Sequence, residues 1–130
     1  MRWAALLAPI AAVVLSGCAD AAVDGGDAPP AYEGITTRLL ADDLVSFDVA
    51  LRGGAGARDV EAYARCAAAQ YTLIRGYSFA RHVRTNVQQT GGTWRADAVY
   101  TISPGLPRGL RTIDAEVVVA DCGLRGIPTV

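Results

Sequence analysis

Between Leu44 and Arg52 the chain alternates, with Val45, Phe47, Val49 and Leu51 on one side and Ser46, Asp48 and Ala50 on the other. A period of two predicts a strand with one buried face. Gly53, Gly54 and Gly56 interrupt the pattern and predict a flexible turn. After it, Val60, Tyr63, Ala64, Ala67, Tyr71 and Ile74 recur at helical spacing, Ala62, Cys66, Ala69 and Leu73 widen the apolar side, and Arg58, Glu61, Arg65, Thr72 and Arg75 form a polar stripe. Asp59 suits the positive end of this helix, Glu61 and Arg65 are ordered for an i,i+4 ion pair, and Gly76 supplies the stop. Alternation resumes from Tyr77 to Val87, setting Tyr77, Phe79, Arg81, Val83, Thr85 and Val87 against Ser78, Ala80, His82, Arg84 and Asn86. Gln88-Gln89-Thr90-Gly91-Gly92 predicts a hairpin turn, and Thr93 to Ile102 the return strand, with Trp94, Ala96, Ala98, Tyr100 and Ile102 on one face. Ser103 to Gly109 breaks the chain again, and Leu110 to Cys122 reads as a last strand with Ile113, Ala115, Val117 and Val119 inward. The order β-α-β-β-β predicts an α+β two-layer domain, a mostly antiparallel four-stranded sheet with one helix packed across it.

Ahead of these elements, Met1-Arg2-Trp3 carries one positive charge, and Ala4 to Leu15 is uncharged, the plan of a secretory signal. The apolar run is shorter than the roughly 20 residues that a membrane-spanning helix needs. It closes on Leu15-Ser16-Gly17-Cys18, which resembles the lipid-attachment box of bacterial lipoproteins. That resemblance implies a signal peptide over 1–17, cleavage before Cys18, acyl chains of the palmitate class on that residue, and a membrane anchor on the periplasmic side of the cell envelope. Ala19, in place of the Asp associated with inner-membrane retention, implies the outer membrane. Residues 18–34 then read as the lipidated cysteine and a flexible acidic tether, because Asp20, Asp24, Asp27 and Glu33 stand there with no basic residue among Gly25, Gly26, Pro29 and Pro30. Residues 35–130 read as a single globular domain, since removing 17 of the 130 residues leaves 113, the size of one core.

Charge narrows the function classes. From Ile35 to Val130 there are 11 Arg against 9 acids, an excess too small to indicate nucleic acid. Every one of the 12 basic residues is Arg, which a GC-rich coding bias explains. The glycine turn at 53–56 lacks the Gly-Lys-Ser/Thr ending of a P-loop, so no nucleotide and no other cofactor is expected. His82 is the sole histidine, which excludes a His-rich metal site and any triad needing a second imidazole; no metal ligand and no catalytic residue is assigned. Flanking Arg81 and Arg84 would lower its proton affinity if they lay close. Arg81, Arg84 and Arg95 form a possible basic surface for anionic headgroups or an acidic partner. Asp42 and Asp43 cap or solvate a strand, while Asp97, Asp114 and Glu116 lie on polar faces that could meet; Trp94, Tyr100, Tyr77 and Phe79 read as core. With Cys18 consumed by lipid, Cys66 and Cys122 remain as an even pair, a possible disulfide stapling helix to sheet.

Val60-Glu61-x-Tyr63, Ala68-Ala69, Thr72 and Gly76-Tyr77 resemble the helix-to-strand segment of uncharacterised alphaproteobacterial envelope lipoproteins, a family with an acid where Gln70 stands. The resemblance implies an envelope location and a small domain, and supplies no activity. Together these features point to a non-enzymatic interaction, assembly or stress-sensing module that meets an envelope protein partner. The alternative is a small periplasmic hydrolase or ligand-binding protein. A pocket lined by Asp97, Glu116, His82 or Arg81 would favour that alternative, and a closed sheet with an exposed apolar patch the partner surface.

Overall fold

Five strands and two helices follow one another in the computed structural model, which describes residues 28–130: β1 (Ala31–Leu39), β2 (Leu44–Arg52), α1 (Ala57–Ile74), β3 (Phe79–Thr90), β4 (Thr93–Ser103), β5 (Thr112–Asp114) and α2 (Ala115–Leu124). The signal peptide, Cys18 and the acidic residues through Asp27 lie outside the described residues. All strand pairs are antiparallel, in one sheet ordered β1-β2-β4-β3-β5. The expected four-stranded sheet with a single helix, in the order β-α-β-β-β, is therefore overturned. One strand and one helix more are present than the hydrophobic pattern indicated.

The centre of the sheet follows its alternation. Register sets Val45 opposite Tyr100, Phe47 opposite Ala98, Val49 opposite Ala96 and Leu51 opposite Trp94, so all these side chains share the face on which α1 packs. Alanines on both sides, Ala64, Ala67 and Ala68 from the helix with Ala80, Ala96 and Ala98 from the sheet, permit close approach. Phe47 fills the space beside them, edge-on to Tyr71 and Tyr100 at ring centroid distances of 5.7 and 6.1 Å. Strand β1 starts at Ala31, inside the stretch read as tether, and sends Tyr32 and Ile35 towards this core.

Helix α1 departs from its reading in three places. Thr72 belongs to the buried side, because its hydroxyl donates to the Ala68 carbonyl oxygen at 2.7 Å and needs no water. Among the described residues Glu61 and Arg65 form no ion pair. The glycine turn is tight: at Gly56, where φ is +104°, an added Cβ would stand 3.1 Å from the Trp94 ring. At the far end Gly76 stops the helix as its sequence position implied, with the Tyr77 N–H donating to the Thr72 carbonyl at 2.9 Å.

Strand β3 carries a bulge between His82 and Arg84. Ala80 and His82 pair with Ile102 and Tyr100 on the helix side; after the extra residue Val83, Thr85 and Val87 pair with Ala98 and Ala96 on that same side. The bulge thus reverses the parity read for Ala80 and His82 and sends Arg84 to the opposite face.

The expected last strand is mostly helix. Only Thr112–Asp114 pairs with β3; Asp114 then accepts hydrogen bonds from the Glu116 and Val117 N–H groups at 3.1 and 3.3 Å and opens α2. Ala115, Val118 and Cys122 become the buried residues at a helical period, and Val117, expected inward, is 64% exposed. None of the helices among the described residues is long and apolar enough to cross a membrane.

Cys66 of α1 and Cys122 of α2 stand at disulfide distance, their Cα atoms 6.0 Å apart. The bridge thus joins helix to helix instead of helix to sheet. Closing a loop between positions 56 apart stabilises by roughly 4 kcal/mol on the loop-entropy account. Cys66→Ala/Cys122→Ala is expected to lower the unfolding free energy by about that amount in denaturant titrations, and thiol labelling of the unreduced, denatured chain should find neither residue reactive.

Candidate anion-binding cleft

Because α2 is held against α1, a cleft of about 600 Å3 opens between the two helices and the helix-side surface of β3 and β4. Its base is apolar: Val118, the Tyr100 ring and the two cysteines, all buried, with Ala62 half-buried and Val83 at one edge. Around it stand four guanidinium groups, Arg58 and Arg65 from α1, Arg111 from the turn before β5, and Arg125 at the end of α2, while Arg84 borders it at the β3 bulge with its guanidinium on Asp97 of the opposite face. The carboxylates there are two, Glu61 and Asp121. Asp121 meets Arg125 at 3.4 Å and Arg84 reaches Asp97 at 3.3 Å; among the described residues Arg58, Arg65 and Arg111 have no ion-pair partner.

Two local features shape the wall. The bulge brings His82 and Thr85 onto one side, where His82 Nε2 and Thr85 Oγ1 share a hydrogen bond of 2.6 Å and the imidazole tilts against Tyr100, ring centroids 5.1 Å apart. Arg111 adopts φ +64°, a left-handed conformation unusual for a non-glycine residue. Its carbonyl accepts from the His82 N–H at 3.0 Å, fixing the turn beside the imidazole. Burial, then the Arg111 guanidinium, pushes the His82 pKa below its usual 6.5, so the ring is neutral at pH 7. The positive charge that lowers it comes from Arg111 and not from the Arg81 or Arg84 guanidinium, while the Arg84 backbone and the Glu61 carboxylate act in the opposite direction. Burial pushes the Tyr100 hydroxyl up to about 12, which leaves it a protonated donor.

The residues singled out in sequence are distributed over both faces. Arg81, Arg84 and Arg95 do share one face, but it is the helix-free one, where Asp48 and Asp97 stand opposite each other in register. Arg38 binds Asp48, Arg84 binds Asp97, and Ser46 donates to Asp97 at 3.1 Å, so that surface is mixed in charge. A second cleft there, of about 580 Å3, is flanked by Glu33, Asp48 and Asp97 as well as Arg95. Asp97, Asp114 and Glu116 do not converge: one lies on the helix-free face, one caps α2, and one sits in its exposed first turn. Phe79 also faces away from the core. Among the described residues no three His, Cys, Asp or Glu side chains are grouped to hold a metal ion.

Sequence reasoning missed Arg58, Arg65, Arg111 and Arg125 as a group. Their one readable signal was the Arg58, Glu61, Arg65 stripe, which the structure turns towards α2.

Comparison with known proteins gives a family and no activity. The YNQ4 C-terminal domain matches residues 32–126. A Paracoccus denitrificans relative, the "uncharacterized 26.9 kDa protein in nqo8 5'region", is 38% identical over 93 residues, which cover 72% of this chain and 36% of that protein. The chain therefore spans about a third of that relative's length. These matches agree with the resemblance to an uncharacterised family noted from Val60 to Tyr77. No solved structure matches.

His82 makes the cleft sensitive to acid. In the unfolded chain it takes up a proton near pH 6.5, and in the folded protein only at lower pH, so stability present above that value is lost as pH falls. The urea midpoint is expected to drop between about pH 7.5 and pH 5.5 by more in the native chain than in His82→Gln. Equal losses in both proteins would mean that the imidazole is not shielded.

Proposed function

The chain belongs to the YNQ4 C-terminal domain family, and from that premise we propose that this domain is a non-catalytic ligand-binding module of the cell envelope, whose arginine-rimmed cleft receives an anionic group. One observation carries the reading: four guanidinium groups and two carboxylates surround a single cleft, and three of the four have no ion-pair partner among the described residues. Its volume falls in the range of ligand sites, about 300 to 1,000 Å3, and planar guanidinium forks match the oxygens of phosphate and carboxylate. This favours ligand capture over a flat partner surface.

The hydrolytic alternative has a single point in its favour, the hydrogen bond between Thr85 and His82. Against it, Asp97 and Glu116 stand away from the cleft, and among the described residues neither Glu61 nor Asp121 hydrogen-bonds to the imidazole to orient it.

The envelope setting is supported by the Leu15-Ser16-Gly17-Cys18 box and by a cysteine pair at disulfide distance, a chemistry that persists in oxidising compartments. In this reading Cys18 carries the lipid, the protein faces the periplasm from the outer membrane, and the residues between Cys18 and the start of β1 at Ala31 link anchor to domain.

Titration with inorganic phosphate, followed by amide chemical shifts, should perturb residues of α1, α2 and the β3 bulge. Arg65→Ala and Arg111→Ala are each expected to weaken binding by about three- to tenfold, the range of a partly exposed charged contact, with Arg95→Ala unchanged and all affinities falling with added salt. Unperturbed shifts in the cleft, or equal loss from Arg95→Ala, would remove the assignment. Separately, mass spectrometry of the protein from bacterial membranes should find the chain beginning at an acylated Cys18; a chain with Cys18 unmodified would remove the anchor.

A further inference from the structure

The vertical order of the cleft carries more than a preference for negative charge. Arg58, Arg65 and Arg111 are exposed at its mouth, while Val118 and the Tyr100 ring, 5% and 4% exposed, form its base with the cysteine sulfurs. A free inorganic anion would use the mouth alone and leave the exposed apolar surface of the cleft, chiefly Val83 and the half-buried Ala62 above that base, in contact with water. We infer that the cleft takes an amphiphilic anion, a phosphate or carboxylate head on an aliphatic chain, with the head among the mouth arginines and the chain lying over Ala62, Val118 and Tyr100. This rests on the anion-binding reading and specifies the ligand it serves.

Two features argue for this occupant. Arg58 and Arg65 lie seven positions apart on one helix, a separation of about 10 Å along its axis, so with Arg111 they can surround one head group from several sides. Glu61 lies between them and repels an anion bound there, so its charge reduces the attraction that the three arginines supply. The base offers no opposing charge: His82 is neutral at pH 7 and tied to Thr85, and the Tyr100 hydroxyl stays protonated. An aliphatic chain entering there displaces water from apolar surface, the contribution that inorganic phosphate cannot make.

Calorimetric titration of the whole protein with inorganic phosphate, butyl phosphate, hexyl phosphate, hexanoate and hexanol tests the assignment. Affinity is expected to rise by about two- to fourfold for each added methylene that the cleft covers, with hexanoate following hexyl phosphate and hexanol binding at least tenfold more weakly than either. Arg65→Ala should weaken inorganic and hexyl phosphate by the same factor. Equal affinity for inorganic and hexyl phosphate would overturn the amphiphile and leave the anion site standing. Absence of binding by every anion would overturn both, and hexanol equalling hexyl phosphate would show a plain apolar pocket. Vesicles of phosphatidylglycerol set against phosphatidylcholine separate the sources: selective binding to the former identifies a membrane lipid, and binding of the soluble alkyl phosphates without vesicle binding identifies a diffusible amphiphile. Both results support the assigned ligand class.

Discussion

A helix of ten residues containing three consecutive valines has little stability in water, since isolated helices shorter than about 12 to 15 residues are marginal and β-branched side chains lose rotamer freedom in them. What α2 packs against therefore decides whether it exists. Ala115, Val118 and Cys122 supply its buried side, and Cys122 meets Cys66 in the middle of α1. The strand before it, β5, contributes only three paired residues, and the turn leading there passes through the left-handed Arg111. With α2 displaced from α1, Val118, Asp121 and Arg125 would leave the cleft and Tyr100 would face solvent. The cysteine contact thus fixes the wall as much as the fold.

That dependence explains where the sequence was legible. Strands β2 and β4 bury one face each, so their alternation and their register agree, from Val45 opposite Tyr100 to Leu51 opposite Trp94. Helix α1 is long, and its buried face is wide. At both ends of the described chain other terms prevail. Tyr32, Ile35, Thr37 and Leu39 alternate in β1, but the extra residue at Glu33 interrupts the period and the strand is an edge with half-exposed apolar positions. In α2, Val117-Val118-Val119 has strand propensity, and the helix is set instead by Asp114 at its start, Gly126 with φ +68° at its end, and Ile127 buried beyond it, whose N–H donates to the Cys122 carbonyl at 3.0 Å. Those signals are single residues, and a periodicity reading gives them little weight against a valine run.

The cleft was less legible than the fold because its parts are spread over four elements. Arg58 and Arg65 were visible as a stripe, yet which neighbour that stripe faces depends on α2, and Arg125 belongs to the cleft only if its segment is helical. His82 was placed on the polar side of β3 by strict alternation. One inserted residue at Val83 puts it beside Tyr100 and gives it Thr85 as a partner three positions on. A shift of one residue in strand parity therefore moves His82 from the side of Arg84 and Asn86 to the side of Thr85 and Val87, facing the cleft.

Coding bias accounts for the identity of the basic residues, all arginine, but not for where the carboxylates stand. On the helix-free face Arg38, Arg52 and Arg84 have Asp48, Glu33 and Asp97 as partners, and Asp48 directly opposite Asp97 would be unfavourable without them. Around the cleft the same residue type is left largely uncompensated: Arg125 alone pairs with a carboxylate of the cleft, and Glu61 lies within a turn of Arg58 and Arg65 without an ion pair to either. On the helix-free face Arg81 and Arg95 have no ion pair among the described residues either, so three of five arginines are paired there against one of four at the cleft. Three unpaired arginines above an apolar base and beside a histidine held neutral are the arrangement expected where the missing counter-charge is a ligand.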